Sequence, residues 1–211
     1  MMMLPALRRF SSCERGATAA EFTLVLPLAL LFLFGIIDVG RLMWTLNSAE
    51  KATQMGARAA VVSNFVPGGL AATNYGTTLG QGAVIPDTVF GAVSCTKPTS
   101  AVICGCPPQY SAPCPTLTPI NTGTFDDIVA RMRGVAPTIL TRDVEIVYSN
   151  SGLGYAGDPN GADVAPLVTV RAVGIGFTPL LFQFFGASFS LPTVSASLTM
   201  EDGDGPVGDS N

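Results

Sequence analysis

The chain contains no histidine, and only 12% of its 211 residues are charged. Without histidine there is no Ser-His-Asp triad, no Cys-His pair and no imidazole metal ligand, so the commonest hydrolase and zinc-site chemistries are excluded together. A surplus of cations is also lacking. The 11 Lys and Arg stand against 15 Asp and Glu, a formal net charge of −4, which leaves no basic surface of the kind that binds nucleic acid. Apolar residues are abundant instead, at 48%, which excludes an intrinsically disordered chain. Nothing nominates catalytic residues, a cofactor, a metal or a small-molecule substrate, and the expectation is a protein that is not an enzyme.

The charge is unevenly spread. Arg8, Arg9 and Arg15 form a short basic head with one acid, Glu14, and an acidic body follows. Between them, Phe22 to Ile37 is a run of sixteen residues without a charge. As a helix, Ala17 to Ile37 would be roughly 31 Å long, the thickness of a bilayer core. The span is expected over about 17–44, reaching Trp44 as an interface aromatic. A cleaved secretory signal has the same basic-then-apolar plan. However, Asp38-Val39-Gly40-Arg41-Leu42 after the run offers no A-x-A-like cleavage site. A buried helix of a soluble protein fits poorly with so little charge, and a retained single-pass anchor in contact with membrane lipid is the expectation. Arg41 and Lys51 nearly balance the arginines of the head. Orientation therefore rests on the denser packing of the head and on the four cysteines beyond the helix, which together put the head inside and the body outside.

Beyond Ile37 the pattern turns amphipathic with helical period. Val39, Leu42, Met43, Leu46, Ala49, Ala52, Met55, Gly56, Ala59 and Val62 share one broad face, opposite Asp38, Arg41, Glu50, Lys51 and Arg58. No helix stop intervenes before Asn64 and Pro67-Gly68-Gly69, so a single helix of roughly 69 Å is expected over 17–62. Ser48, Ala52, Gly56 and Ala60 recur every four residues as a ridge of small side chains, a helix-packing surface. It packs either against other helices of an assembly or under the chain's own sheet, and the second is the expectation.

From 63 to 211 the composition shifts to Gly, Pro, Ser and Thr with β-branched runs, an α+β domain of short strands between turns. Strands are expected at 83–85 with 88–93, 144–149, 167–177 and 188–200. One helix is expected between them, with Thr124 as cap, Asp126 and Asp127 in its first turn, Ile128, Val129 and Met132 apolar, and Gly134 as stop. Cys13 lies in the basic head. Cys95, Cys104, Cys106 and Cys114 fall in a Pro-rich stretch, and an even count in an exported domain implies two disulfides. Joining Cys104 to Cys106 would strain the chain, which leaves two pairings; a zinc site lacks the usual C-x₂-C pairs. Gly154 to Asp163 and Asp202-Gly203-Asp204-Gly205 have the ingredients of a calcium loop but not its spacing, and turn-forming Asp-Gly pairs explain both.

Glu21 sits just inside the apolar boundary, where an ionisable group needs a positive partner. Its surroundings, Arg15-Gly16-Ala17-Thr18-Ala19-Ala20-Glu21-Phe22, resemble the processing site of type IV pilins and pseudopilins. More narrowly, the stretch from Glu14 to Val62 is similar to the TadE-like domain of the tight-adherence (Flp-type) pilus system. The residues that carry the likeness are Glu14-Arg15-Gly16-Ala17, Ala20-Glu21-Phe22, Leu26-Pro27, Gly35-Ile36-Ile37-Asp38, Gly40-Arg41 and Gly56-Ala57-Arg58-Ala59-Ala60.

The resemblance implies a pilin-like fold and a leader over 1–16 that a prepilin peptidase removes between Gly16 and Ala17. It also implies that Glu21 neutralises the new α-amino group of Ala17, since either charge left alone in low dielectric would cost several kcal/mol. The protein would be a minor pseudopilin of the bacterial inner membrane, its N-terminus cytoplasmic and its body periplasmic. Its partners would be other pseudopilins and tight-adherence secretion components. The rival reading is an uncleaved, membrane-anchored envelope domain that binds a ligand; an envelope enzyme would need clustered Asp and Glu in a cleft of the outer domain.

Overall fold

The computed structural model describes residues 14–159, 161–183 and 188–200. Arg8, Arg9 and Cys13 of the head and the acidic tail from Glu201 lie outside them. The chain begins with helix α1 (Glu14–Val61), followed by the short helices α2 (Gly68–Ala71) and α3 (Gly76–Leu79). Strands β1 (Ala92–Thr96) and β2 (Ile103–Gly105) precede helix α4 (Thr122–Val135), a 3-10 turn at Thr141–Asp143, and strands β3 (Val144–Ser149) and β4 (Leu167–Ala172). The last elements are β5 (Gly176–Phe177), α5 (Leu180–Gln183), β6 (Phe189–Ser190) and β7 (Val194–Thr199). The architecture is mixed α+β, a long apolar N-terminal helix and a β-rich domain with two disulfides.

Two compact units share this chain: α1 as far as Met43 with Phe177–Phe189, and Trp44–Gly176 with Ser190–Asn211. The second unit is built on an antiparallel sheet in the order β2-β1-β3-β4-β7. Period-two alternation gives the sheet two unlike faces. Val93, Cys95, Ile146, Tyr148, Val168 and Val170 are fully buried on one face. Ser94, Thr96, Glu145, Thr169 and Arg171 are half-buried on the other. The apolar face is covered by α4, through Phe125, Ile128, Val129 and Met132, and by the second half of α1. Asn121 fixes where α4 begins. Its side-chain amide donates to the Phe65 carbonyl at 2.7 Å and its backbone N–H to Val66 at 2.8 Å, tying the start of α4 to the turn after α1.

Several boundaries differ from those expected. Helix α4 starts at Thr122 behind Asn121 rather than behind Thr124, and it runs through Gly134 to Val135, where open space around the glycine demands no stop. Residues 83–91 form loop instead of strand, held by the Asn150 side chain on the Ile85 carbonyl and by the Ala156 N–H on Ala83. The first strand is displaced to 92–96, where Cys95 stands directly opposite Cys104 of the unexpected strand β2. The expected strand 167–177 breaks after Ala172 because Gly174 adopts φ +70°, a left-handed conformation. The strand expected over 188–200 is interrupted around Pro192, which has no N–H to give to a ladder.

Candidate functional site

Helix α1 is the element through which sequence and structure converge. Thr18–Val61 is long and apolar enough to cross a membrane, and its most apolar window has a mean hydropathy of 2.5 and is only 6% buried. Leu24 is 78% exposed and Phe32 71%, side chains that a water-soluble surface would not array along a helix. Pro27 lies inside this helix without ending it. Beside it the Thr23 hydroxyl donates to the Ala19 carbonyl at 2.7 Å, the local back-bonding that apolar surroundings favour.

Gly16 and Ala17 lie in the first turn of α1, as does Arg15. Glu21 is exposed one turn later. Residues at i and i+4 are neighbours on a helix, so Glu21 lies one turn along the same face from Ala17.

At the other end of the apolar run, sequence reasoning placed Asp38 on a polar face and missed what it does. Asp38 is only 8% exposed. Its two carboxylate oxygens accept the backbone N–H groups of Leu180 at 2.8 Å and Leu181 at 3.1 Å, and Arg41 donates to it at 3.2 Å. The first N–H groups of any helix have no partner within it, and Asp38 satisfies the first two of α5. The Arg41 guanidinium lies 5.4 Å from the centre of the Phe177 ring, and Phe177 in turn lies 5.3 Å from Phe189. The signal that could have found this clamp was an acid closing a charge-free run with an arginine three residues on.

The ridge of Ser48, Ala52, Gly56 and Ala60 belongs to the second unit. Ser48 is half-buried and the other three are buried. A Cβ on Gly56 would come within 2.8 Å of the Met132 side chain and 3.1 Å of Val170, so at Gly56 the helix lies directly against α4 and the chain's own sheet.

In the outer domain Cys95 pairs with Cys104 and Cys106 with Cys114. The first bond joins directly opposed residues of β1 and β2, and the second closes the loop that follows β2. An open cleft of about 390 Å³ lies on the polar face of the sheet, lined by Ser94, Thr96, Tyr110, Glu145 and Arg171 among others. Within it Glu145 accepts the Ser94 hydroxyl at 2.7 Å on one oxygen and meets Arg171 at 3.5 Å on the other, an ion pair between strands.

The loop considered for calcium is organised by Asp163, which is 3% exposed. That carboxylate accepts the N–H groups of Tyr75 at 2.6 Å, Gly157 at 2.9 Å and Asp158 at 3.0 Å, so its lone pairs bind backbone. Among the described residues no group of three or more Cys, Asp or Glu side chains is placed to hold a metal ion. Burial pushes the Tyr148 phenol well above its ordinary range, partly offset by the Val66 N–H it accepts at 3.2 Å. Burial and then the Asp163 charge raise Tyr75, while the Asp158 charge leads the rise at Tyr155.

Residues 16–58 match the family model described as TadE-like protein, a segment lying wholly within α1. The TadE-like family is one of tight-adherence pilus systems and is generally structural rather than enzymatic, and the match leaves the outer domain uncovered. No curated protein and no solved structure matches the chain.

Proposed function

We propose that the protein is a minor pseudopilin of a bacterial tight-adherence apparatus, acting in the biogenesis of Flp-type pili. It is made with a leader that a prepilin peptidase removes after Gly16. It is held in the inner membrane by the first half of α1, with the disulfide-bonded domain in the periplasm. Its work is assembly through contacts with other pseudopilins and secretion components, and it catalyses nothing. The observation that carries the reading is the coincidence of the TadE-like match at 16–58 with a helix whose apolar side chains stand exposed through its N-terminal half.

Glu21 supports the same reading. After cleavage the α-amine of Ala17 would stand one helical turn from the Glu21 carboxylate, near enough for the two charges to neutralise each other within one chain or between neighbours. The Glu21→Ala variant is therefore expected to be processed at the normal rate and to fail in pilus assembly, measured by counting surface pili in a strain carrying only the variant. Normal piliation by that variant sinks the charge-pairing role.

A further inference from the structure

The first unit contains a segment that the pilus reading does not use, the stretch from Phe177 to Phe189 that returns to α1. We infer that Leu180, Leu181 and Phe189 form a second membrane contact of this chain, lipid-facing and set beside the spanning helix in the outer half of the bilayer, with the buried Phe177 ring beneath them as support. The inference rests on the membrane-spanning reading of α1.

Depth is the first argument. Leu181 shares an almost wholly apolar hollow of about 440 Å³ with Leu31, Phe32, Gly35, Ile36 and Val39. Leu31 lies seven residues N-terminal to Asp38, about 10 Å along the helix axis, so the hollow reaches well into the charge-free run rather than sitting beyond it. A span that puts Phe22 to Ile37 in hydrocarbon takes Leu181 in with it. A hollow of this lining on an exposed apolar helix accepts an acyl chain.

Backbone chemistry is the second. Within hydrocarbon no water satisfies a stray N–H, and each one left unpaired is costly. The turn into α5 would bring such groups down, and the two N–H groups of Leu180 and Leu181 are the ones that Asp38 accepts. The carboxylate has Arg41 as counter-ion, so the acid at the end of the span is paired as an intramembrane charge must be. Without a returning segment at this depth, Asp38 would have no reason to be nearly buried on an otherwise bare helix.

Composition is the third. No Asp, Glu, Lys or Arg occurs between Arg171 and Glu201, so a membrane contact made by this segment carries no charged side chain of its own into hydrocarbon. Phe189 is 46% exposed and Phe177 lies beneath the Arg41 guanidinium, an aromatic pair at the level where interface belts form.

The test reads lipid proximity in the full chain reconstituted into phosphatidylcholine vesicles, part of whose lipid is brominated at carbons 6 and 7 of an acyl chain (on the order of the shallow hydrocarbon depth). Trp44, the only tryptophan, is replaced by Phe. Single tryptophans are then introduced as Leu181→Trp, as Phe189→Trp and, for the span itself, as Phe32→Trp. Loss of fluorescence at 181 and 189 of the same order as at 32 is the expected result, and two reporters in the segment guard against one that disturbs folding. Quenching at 32 with none at 181 and 189 overturns the inference and leaves the anchor intact. Absence of quenching at all three overturns the spanning reading, and the inference with it.

Discussion

The two halves of α1 are equally helical and both rich in apolar residues, yet one stands exposed and the other is packed inside the protein. From Thr18 to Met43 the large side chains Leu24, Phe32 and Ile36 stand exposed, and the glycines Gly35 and Gly40 have nothing within 4 Å of where a Cβ would be. From Trp44 to Val61 the inward side chains are small, and Ala52, Ala57 and Ala60 are completely buried. Large residues serve a helix that meets fluid lipid, whereas small ones let a sheet approach the backbone closely. Asp38 and Arg41 mark the changeover: Asp38 is nearly buried, yet its carboxylate is fully engaged.

The sharpest way to break this comparison is to make the same substitution in each half. Gly56→Leu forces a side chain into Met132 and Val170 and should destabilise the outer domain by about 3 kcal/mol, while Gly35→Leu meets open space and should leave that domain's stability unchanged. Denaturant unfolding in detergent, followed by the domain's far-ultraviolet signal, measures both. Equal effects would mean that the halves are not distinguished by packing. Next in size come the disulfides. Each closes a short loop, and replacing Cys95 and Cys104 together by Ser should cost about 2.5 kcal/mol in the outer domain without changing how tightly the protein is held in membranes.

A smaller effect comes from Tyr148. Burial raises its folded-state pKa above the ordinary value of 10.0, so its contribution to stability is whole below pH 10 and is lost as pH rises through the folded value. Tyr148→Phe should flatten this alkaline decline while costing about 1 kcal/mol at neutral pH for the hydrogen bond from Val66. An unchanged alkaline limb would mean that another group governs it.

Legibility in the sequence followed the length of each signal. Helix α1 was readable almost to its ends, because a span-length apolar run passes without a stop into a stretch of 3.6-residue periodicity. Strand β3 was readable at Val144–Ser149 from its apolar run. Strand β2 was not, since Ile103–Gly105 is three residues long and is fixed by its register opposite Cys95, a long-range fact absent from local sequence. The packing ridge could be seen as a stripe of small residues, but its partners Met132 and Val170 lie far along the chain. The Asp38 clamp was invisible for the same reason. An acid on a helix face looks solvated until residues 180 and 181 come back to meet it.

The central claim is that α1 begins as the mature terminus of a processed pseudopilin. It is tested most directly by the N-terminal sequence and intact mass of the protein taken from membranes of cells carrying the cognate peptidase, beside a Gly16→Val variant. The account predicts a mature terminus at Ala17 in the wild type and its loss in the variant. An intact Met1 terminus in both would contradict it and leave an ordinary membrane-anchored domain.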